Sequence, residues 1–231
     1  LLKVENVNVF ISESQVLRDI NLSVQKGEVV SIVGRNGAGK TTLLKTIIGL
    51  VKPRSGKISF LGKDITGLHP FEIAKMGVGY APDDLRIFPS LTVEENIELP
   101  ILAAGKSKRD RVEFAYSIFP KLLQYRKKPG THISGGERKM LAIARALALD
   151  PTLLLLDEPL EGLAPVLLPE LNKSIYELAR SGLTLLLTES NIYRVPKFTD
   201  TLCVIERGEL IYSGRPDKAY EEERVRKVLG L

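Results

Sequence analysis

Two hydrophobic rhythms alternate along the chain. The apolar, β-branched run at residues 29–33 reads as a buried strand, 152–156 as a fully buried one by its unbroken leucines, and 183–187 as a further strand. Residues 2–9 alternate in places and predict a strand. Residues 22–24 and 29–33 flank the turn Gln25-Lys26-Gly27-Glu28, which predicts a hairpin. Short strands are expected at 57–60 and 78–81, and a second hairpin at 201–206 and 209–213 across Arg207-Gly208. Helices are expected at 70–76, with Pro70 in the first turn, and at 165–180, 191–197 and 216–229. Residues 92–149 differ in character, being mostly helical in pattern. Thr92-Val93-Glu94-Glu95 is a capping box that opens the first of these helices, and Pro100 and Gly105 weaken its end. A highly charged helix is expected at 106–118, and a long one from Ser134 to 149. Strands alternating with helices imply an α/β fold with a mainly parallel sheet covered on both faces.

Composition narrows the class. At 44% apolar and 26% charged, the 231 residues suit one ordinary globular domain. No apolar run approaches the roughly 18 residues of a membrane span. The start lacks the pattern of a signal peptide, and the missing initiator Met suggests trimming there. The single cysteine, Cys203, rules out an internal disulfide and reads as core, and two histidines rule out a histidine-rich zinc site. A mild net charge of +5 permits an anionic membrane surface or a nucleotide as partner without demanding nucleic acid. With no Trp and no clear basic–aromatic interleaving of the kind that stacks bases, no nucleic acid is expected as partner. Lys106, Lys108, Arg109 and Arg111, like Arg126-Lys127-Lys128, read as solvated faces.

The chemistry centres on Gly34-Arg35-Asn36-Gly37-Ala38-Gly39-Lys40-Thr41, which matches G-x-x-x-x-G-K-[ST]. A buried strand precedes it and a helix follows through Thr42. The first amides of a helix have no internal partner and carry partial positive charge, so the loop is an anion site. Glycines let the backbone close around phosphate oxygens, Lys40 adds a full charge, and the Thr41 hydroxyl can hold Mg²⁺. This makes the fold a P-loop NTPase core with an antiparallel β subdomain and an inserted α-helical subdomain. Residues 1–83 and 149–231 form the core and 84–148 the helical part of a single domain 1–231.

Two more stretches carry chemistry. Leu153-Leu154-Leu155-Leu156-Asp157-Glu158 is an apolar strand ending in two carboxylates. Parallel strands point their C-terminal ends at the ligand crevice. Asp157 is then placed to hold Mg²⁺ and Glu158 to orient or deprotonate an attacking water. Ser134-Gly135-Gly136-Glu137 forms a second capping box. Its two glycines are poor helix material, and make sense if a phosphate approaches the backbone there.

Together these stretches resemble an ABC-transporter ATPase subunit along essentially the whole chain. The Ser134-Gly135-Gly136-Glu137 signature separates this family from other P-loop proteins. Ile87-Phe88-Pro89-Ser90-Leu91-Thr92-Val93-Glu94-Glu95-Asn96 and Glu161-Gly162-Leu163-Ala164-Pro165 are similar to segments of the branched-chain amino-acid importer subgroup. The resemblance implies ATP and Mg²⁺ as cofactors and a head-to-tail dimer with a second ATPase subunit, identical or paralogous. ATP on the loop of one chain is covered by Ser134, Gly135 and Gly136 of the other. It also implies two membrane-spanning permease subunits, contacted near residues 82–92, a solute-binding protein acting indirectly, and a peripheral place on the cytoplasmic face of the membrane.

Some positions depart from the family pattern. Asp83 stands where Gln or Glu follows a proline, and as a shorter carboxylate it reaches less far toward metal and water. Thr188-Glu189-Ser190-Asn191 places Ser190 where many members have a γ-phosphate-binding His. Ala164 replaces a common Asp, as the subgroup also does. Ile11 aligns with the usual adenine-stacking aromatic, leaving Phe10 as the candidate adenine contact. The expected function is ATP hydrolysis powering import. Asp83 and Ser190 motivate the alternative of a low-turnover, ATP-gated regulatory module, and an exporter ATPase is the other alternative.

Overall fold

The computed structural model describes residues 1–105 and 109–230. In chain order the strands are β1 (Leu2–Ile11), β2 (Ser14–Val24), β3 (Val29–Val33), β4 (Ser55–Phe60), β5 (Lys63–Asp64), β6 (Val78–Ala81), β7 (Leu153–Asp157), β8 (Thr184–Glu189), β9 (Thr201–Glu206) and β10 (Glu209–Gly214). The α-helices are α1 (Lys40–Ile47), α2 (Pro70–Lys75), α3 (Val93–Ala103), α4 (Arg109–Ile118), α5 (Pro120–Leu123), α6 (Gly135–Leu147), α7 (Leu168–Arg180), α8 (Pro216–Ala219) and α9 (Glu223–Leu229). Lys106 and Lys108, expected on a charged helix face, lie outside the described residues. Arg111 is tied to Asp150 at 3.3 Å.

Six strands form one sheet in the order β10-β9-β3-β8-β7-β6, and four form a second in the order β2-β1-β4-β5. The pairs β9–β3, β3–β8, β8–β7 and β7–β6 are parallel, whereas β10–β9 and all pairs of the smaller sheet are antiparallel. Side chains alternate across a strand, and β7 shows what the unbroken leucines are for. Leu153 and Leu155 join an apolar layer with α1 residues Leu43 and Leu44 and with Val4 and Val7 of the smaller sheet. Leu154 and Leu156 face the other way, into a layer with Ile97 of α3, Leu141 of α6 and Ile175 of α7. Both faces are covered, so every residue of β3, β7 and β8 is buried.

Three expectations are corrected. The helix expected at 216–229 is instead the two short helices α8 and α9, separated at residues 220–222. The hairpin across residues 25–28 does not form. β2 pairs with β1, with Val4 opposite Leu22, while β3 lies between β8 and β9. Both hydrogen-bonding edges of β3 are filled by parallel partners from far along the chain, which leaves none for β2. The turn therefore carries the chain from one sheet to the other. The helix expected at 191–197 is only a 3₁₀ turn at Ile192–Arg194, started by the Asn191 side chain accepting from the Tyr193 amide at 2.9 Å. Both capping boxes are present. Thr92 accepts from the Glu95 amide at 3.2 Å, and Ser134 from the Glu137 amide at 3.3 Å. No helix among the described residues is long and apolar enough to cross a membrane.

Candidate functional site

The parallel strands point the same way, so their C-terminal ends meet at one edge of the sheet. Gly34 follows β3, Asp83 lies just beyond β6, Asp157 ends β7 with Glu158 next, and Glu189 ends β8. A groove of about 420 Å³ opens there, lined by Val16, Asn36, Gly37, Gly39, Lys40, Thr41, Thr42, Asp83 and Glu158.

The loop at Gly34 has the backbone that its glycines allow. Gly39, the N-cap of α1, sits at φ 112°, and no side chain caps the helix. A Cβ at Gly34 would lie 2.3 Å from the Ile205 carbonyl, so only glycine lets the loop leave the sheet there. Lys40 is 3% exposed and donates to the carbonyls of Gly34 at 2.7 Å and Arg35 at 3.2 Å. Its Nζ also lies 3.1 Å from Glu158 Oε1. The Arg35 side chain turns away and donates from Nε to the Val228 carbonyl at 3.2 Å. Ala38 is buried, leaving Arg35, Asn36 and Gly37 as the exposed part of the loop.

Asp157, buried and bonded to the groove residue Thr41, is a hydrogen-bonding hub. Its Oδ1 accepts from Thr41 Oγ1 at 3.1 Å and Thr188 Oγ1 at 2.8 Å, and its Oδ2 accepts from the Tyr80 hydroxyl at 3.2 Å. Burial pushes its carboxyl above the ordinary range. The Thr188 bond opposes that shift most, the Asp83 charge adds to it, and the Thr41 and Tyr80 bonds also oppose it. Burial, and then the Asp157 charge, likewise push the Tyr80 hydroxyl up. Glu158 adopts φ 46°, the left-handed region, which costs a non-glycine residue roughly 1–2 kcal/mol. Its amide donates to Thr188 Oγ1 at 3.0 Å, and its carbonyl accepts from Lys139 Nζ at 2.5 Å. Behind it, buried Glu189 accepts from the Leu160 amide at 3.1 Å, and burial pushes its carboxyl up to about 8. Asp83 is exposed at the groove rim.

The remaining expected residues stand apart. Ser134 and Gly135 are exposed at the start of α6, and neither they nor Gly136 line the groove of their own chain. A Cβ at Gly135 would meet nothing within 4 Å, whereas one at Gly136 would lie 2.3 Å from Leu167 Cδ1. A Cβ at Gly136 would thus have to displace the end of the Leu167 side chain, a packing contact the sequence reading did not supply. Phe10 does not line the groove. Its ring lies under the Arg54 guanidinium at 4.6 Å, and the nearby groove wall is Val16. Ser190 donates to Glu161 Oε2 at 2.8 Å, and Glu161 is also paired with Arg194.

Sequence reasoning missed Tyr80, Thr188, Lys139 and Glu189 as neighbours of the two acidic residues. Thr188 and Glu189 had a usable signal, because they close a strand parallel to β7, with Thr188 in register with Asp157. Lys139 had none, since nothing local distinguishes it from a solvated helix lysine.

Residues 17–161 match the ABC transporter family. The branched-chain amino acid transport ATP-binding protein BraG of Pseudomonas aeruginosa is 38% identical over 213 residues, 91% of each chain. The lipopolysaccharide export ATP-binding protein LptB of Haemophilus influenzae is 34% identical over 233 residues, 99% of this chain and 96% of that one. The ADP conformation of the ATP-binding cassette MJ1267 superposes with a TM-score of 0.85 at 30% identity, covering 99% of this chain and 97% of that one. A dimeric post-hydrolysis state of the cassette MJ0796, bound to ADP and phosphate, gives 0.84 at 26% identity, covering 93% and 98%. With its glycine loop and Asp157–Glu158 strand end facing one groove, this nucleotide-binding chain belongs to the ABC transporter family as an ATPase subunit.

Proposed function

We propose that this ATPase powers uptake of branched-chain amino acids. It would sit on the cytoplasmic face of the membrane, bound to two permease subunits that a solute-binding protein serves. The observation that carries this reading is the 38% identity to BraG over 91% of both chains. A lipid-exporting role is the second reading, favoured by the 34% identity to LptB over nearly the whole chain. Disruption of the gene in its host tests both. Loss of leucine uptake with an intact envelope supports import. Normal uptake with a lipopolysaccharide defect supports export.

Within the groove, Lys40 and the uncapped amides of α1 suit the outer phosphates of ATP. Thr41 and Asp157 fit Mg²⁺. Their oxygens are 3.1 Å apart, both are hard donors, and this ion needs only one or two carboxylates beside substrate phosphates and water. Asp83 shares the groove and would reach the ion through water. Bound there, Mg²⁺ neutralises charge developing on the phosphates. Glu158 is the general base. Its carboxylate takes a proton from water as the water oxygen bonds the γ-phosphorus and the bond to the leaving diphosphate breaks.

The exposed Ser134 and Gly135 would serve the partner's nucleotide in a head-to-tail dimer, a reading that the dimeric MJ0796 structure supports. Ser190 offers little to phosphate, because its hydroxyl proton is already given to Glu161. Residues 84–148 are proposed to act as the helical subdomain that carries the signature.

A further inference from the structure

Glu158 sits between two lysines. Lys40 meets its carboxylate at 3.1 Å, and Lys139 donates to its main-chain carbonyl at 2.5 Å. Lys139 belongs to α6, one turn beyond the Ser134 cap. Lys139 is half-buried, and its ammonium feels the charges of Glu189, Glu158, Asp83 and Arg194. Burial pulls its pKa down, while the three carboxylates push it back up.

The peptide it grips is unusual. Glu158 is in the left-handed region at φ 46° and must be held there. Thr188 Oγ1 accepts its amide at 3.0 Å, the Glu161 amide donates to its carbonyl at 3.1 Å, and Glu189 accepts the Leu160 amide two residues on. Thr188 and Glu189 come from β8, in the same sheet as β7. Lys139 alone among these contacts comes from α6. A charged donor makes a stronger hydrogen bond than a neutral one, so this contact weighs heavily among them.

We propose that Lys139 is a positioning residue for ATP hydrolysis. By donating to the Glu158 carbonyl, it holds the strained peptide that aims the Glu158 carboxylate and ties that aim to the helix bearing the Ser134 signature. A shift of α6 is thereby felt at the base of the same chain. This inference rests on the reading of Glu158 as the general base.

Lys139→Met removes the charge and the donor while keeping an unbranched chain, and Lys139→Arg restores a cationic donor. The full-length protein is examined in two ways. In nucleotide-free protein, amide hydrogen exchange is followed over the peptide spanning 158–163. In steady state, kcat, KM and nucleotide Kd are measured beside Glu158→Gln. Lys139→Met should speed exchange of the Glu158, Leu160 and Glu161 amides several-fold. It should lower kcat about tenfold, the effect of one misplaced group, with KM and Kd within about twofold. Lys139→Arg should recover most of both effects. Wild-type exchange and kcat in Lys139→Met would overturn the proposal, as would Lys139→Arg failing as badly as Met. Wild-type turnover in Glu158→Gln would instead remove Glu158 as base, and the exchange result would still report whether Lys139 holds the peptide.

Discussion

The Gly34 loop and the Ser134 turn are both helix N-termini suited to an anion, and the chain finishes them in opposite ways. At the loop, no side chain caps α1, and Lys40 is buried against two carbonyls and a carboxylate. At the signature, Ser134 and Glu137 cap each other reciprocally, and Ser134 and Gly135 stay exposed with open space at Gly135. One terminus is organised around a groove in its own chain, and the other presents a smooth, self-satisfied surface. The comparison teaches that a shared local motif does not set a shared role. What the rest of the chain packs around the terminus decides whether it opens onto a groove of its own chain or onto an exposed surface.

The largest effect expected from breaking this contrast is on the loop side. Lys40→Ala removes the groove's buried cation and leaves the Gly34 and Arg35 carbonyls without their donor. Nucleotide affinity measured by calorimetry should fall about a hundredfold or more, roughly 3 kcal/mol. Unchanged affinity would remove Lys40 from phosphate binding.

Gly135→Asp probes the other terminus. Space is open there, so the fold and single-chain nucleotide binding should survive. A carboxylate facing a partner's phosphates would repel them, and turnover should fall about a hundredfold with loss of the ATP-dependent dimer. A dimer that still forms on size exclusion would show that this surface does not face a partner's nucleotide.

Glu189 sharpens the comparison through pH. Its carbonyl accepts from the Gly34 amide at 3.3 Å, so it backs the loop directly. Its carboxyl titrates near 8 when folded against an ordinary 4.5, so the folded chain keeps a proton that the unfolded chain releases. That contribution to stability is complete below about pH 4.5 and is lost as pH rises toward 8. Glu189→Gln cannot titrate and still accepts from the Leu160 amide. Urea midpoints should therefore improve relative to wild type between about pH 5 and 8, by at most roughly 1.4 kcal/mol per unit. A pH-independent difference between the two proteins would contradict a protonated Glu189.

Smallest of all should be Ser190→Ala, because the hydroxyl is engaged with Glu161 rather than turned to the groove. Steady-state turnover should drop no more than about fivefold, under 1 kcal/mol. A variant as inactive as Glu158→Gln would make Ser190 a phosphate ligand.

Much of this site was legible because its parts are local. A capping box closes over three residues, a glycine loop sets its own backbone, and an unbroken leucine run announces a strand covered on both sides. Such features are determined within a turn or two of chain, so Gly34 to Thr41, Ser134 to Glu137 and Leu153 to Glu158 could be read from sequence alone. Tertiary structure decided what those parts meet. Thr41 and Asp157 are 116 positions apart in the chain, and Lys139 reaches a carbonyl 19 positions away. It decided that β3 takes β8 and β9 as partners rather than β2. It also set Phe10 beneath Arg54 and away from the groove, and packed Gly136 against Leu167. The physical reason is common to all of these. Local motifs satisfy their own backbone groups, but strand edges, buried carboxylates and strained peptides need partners that only long-range packing delivers.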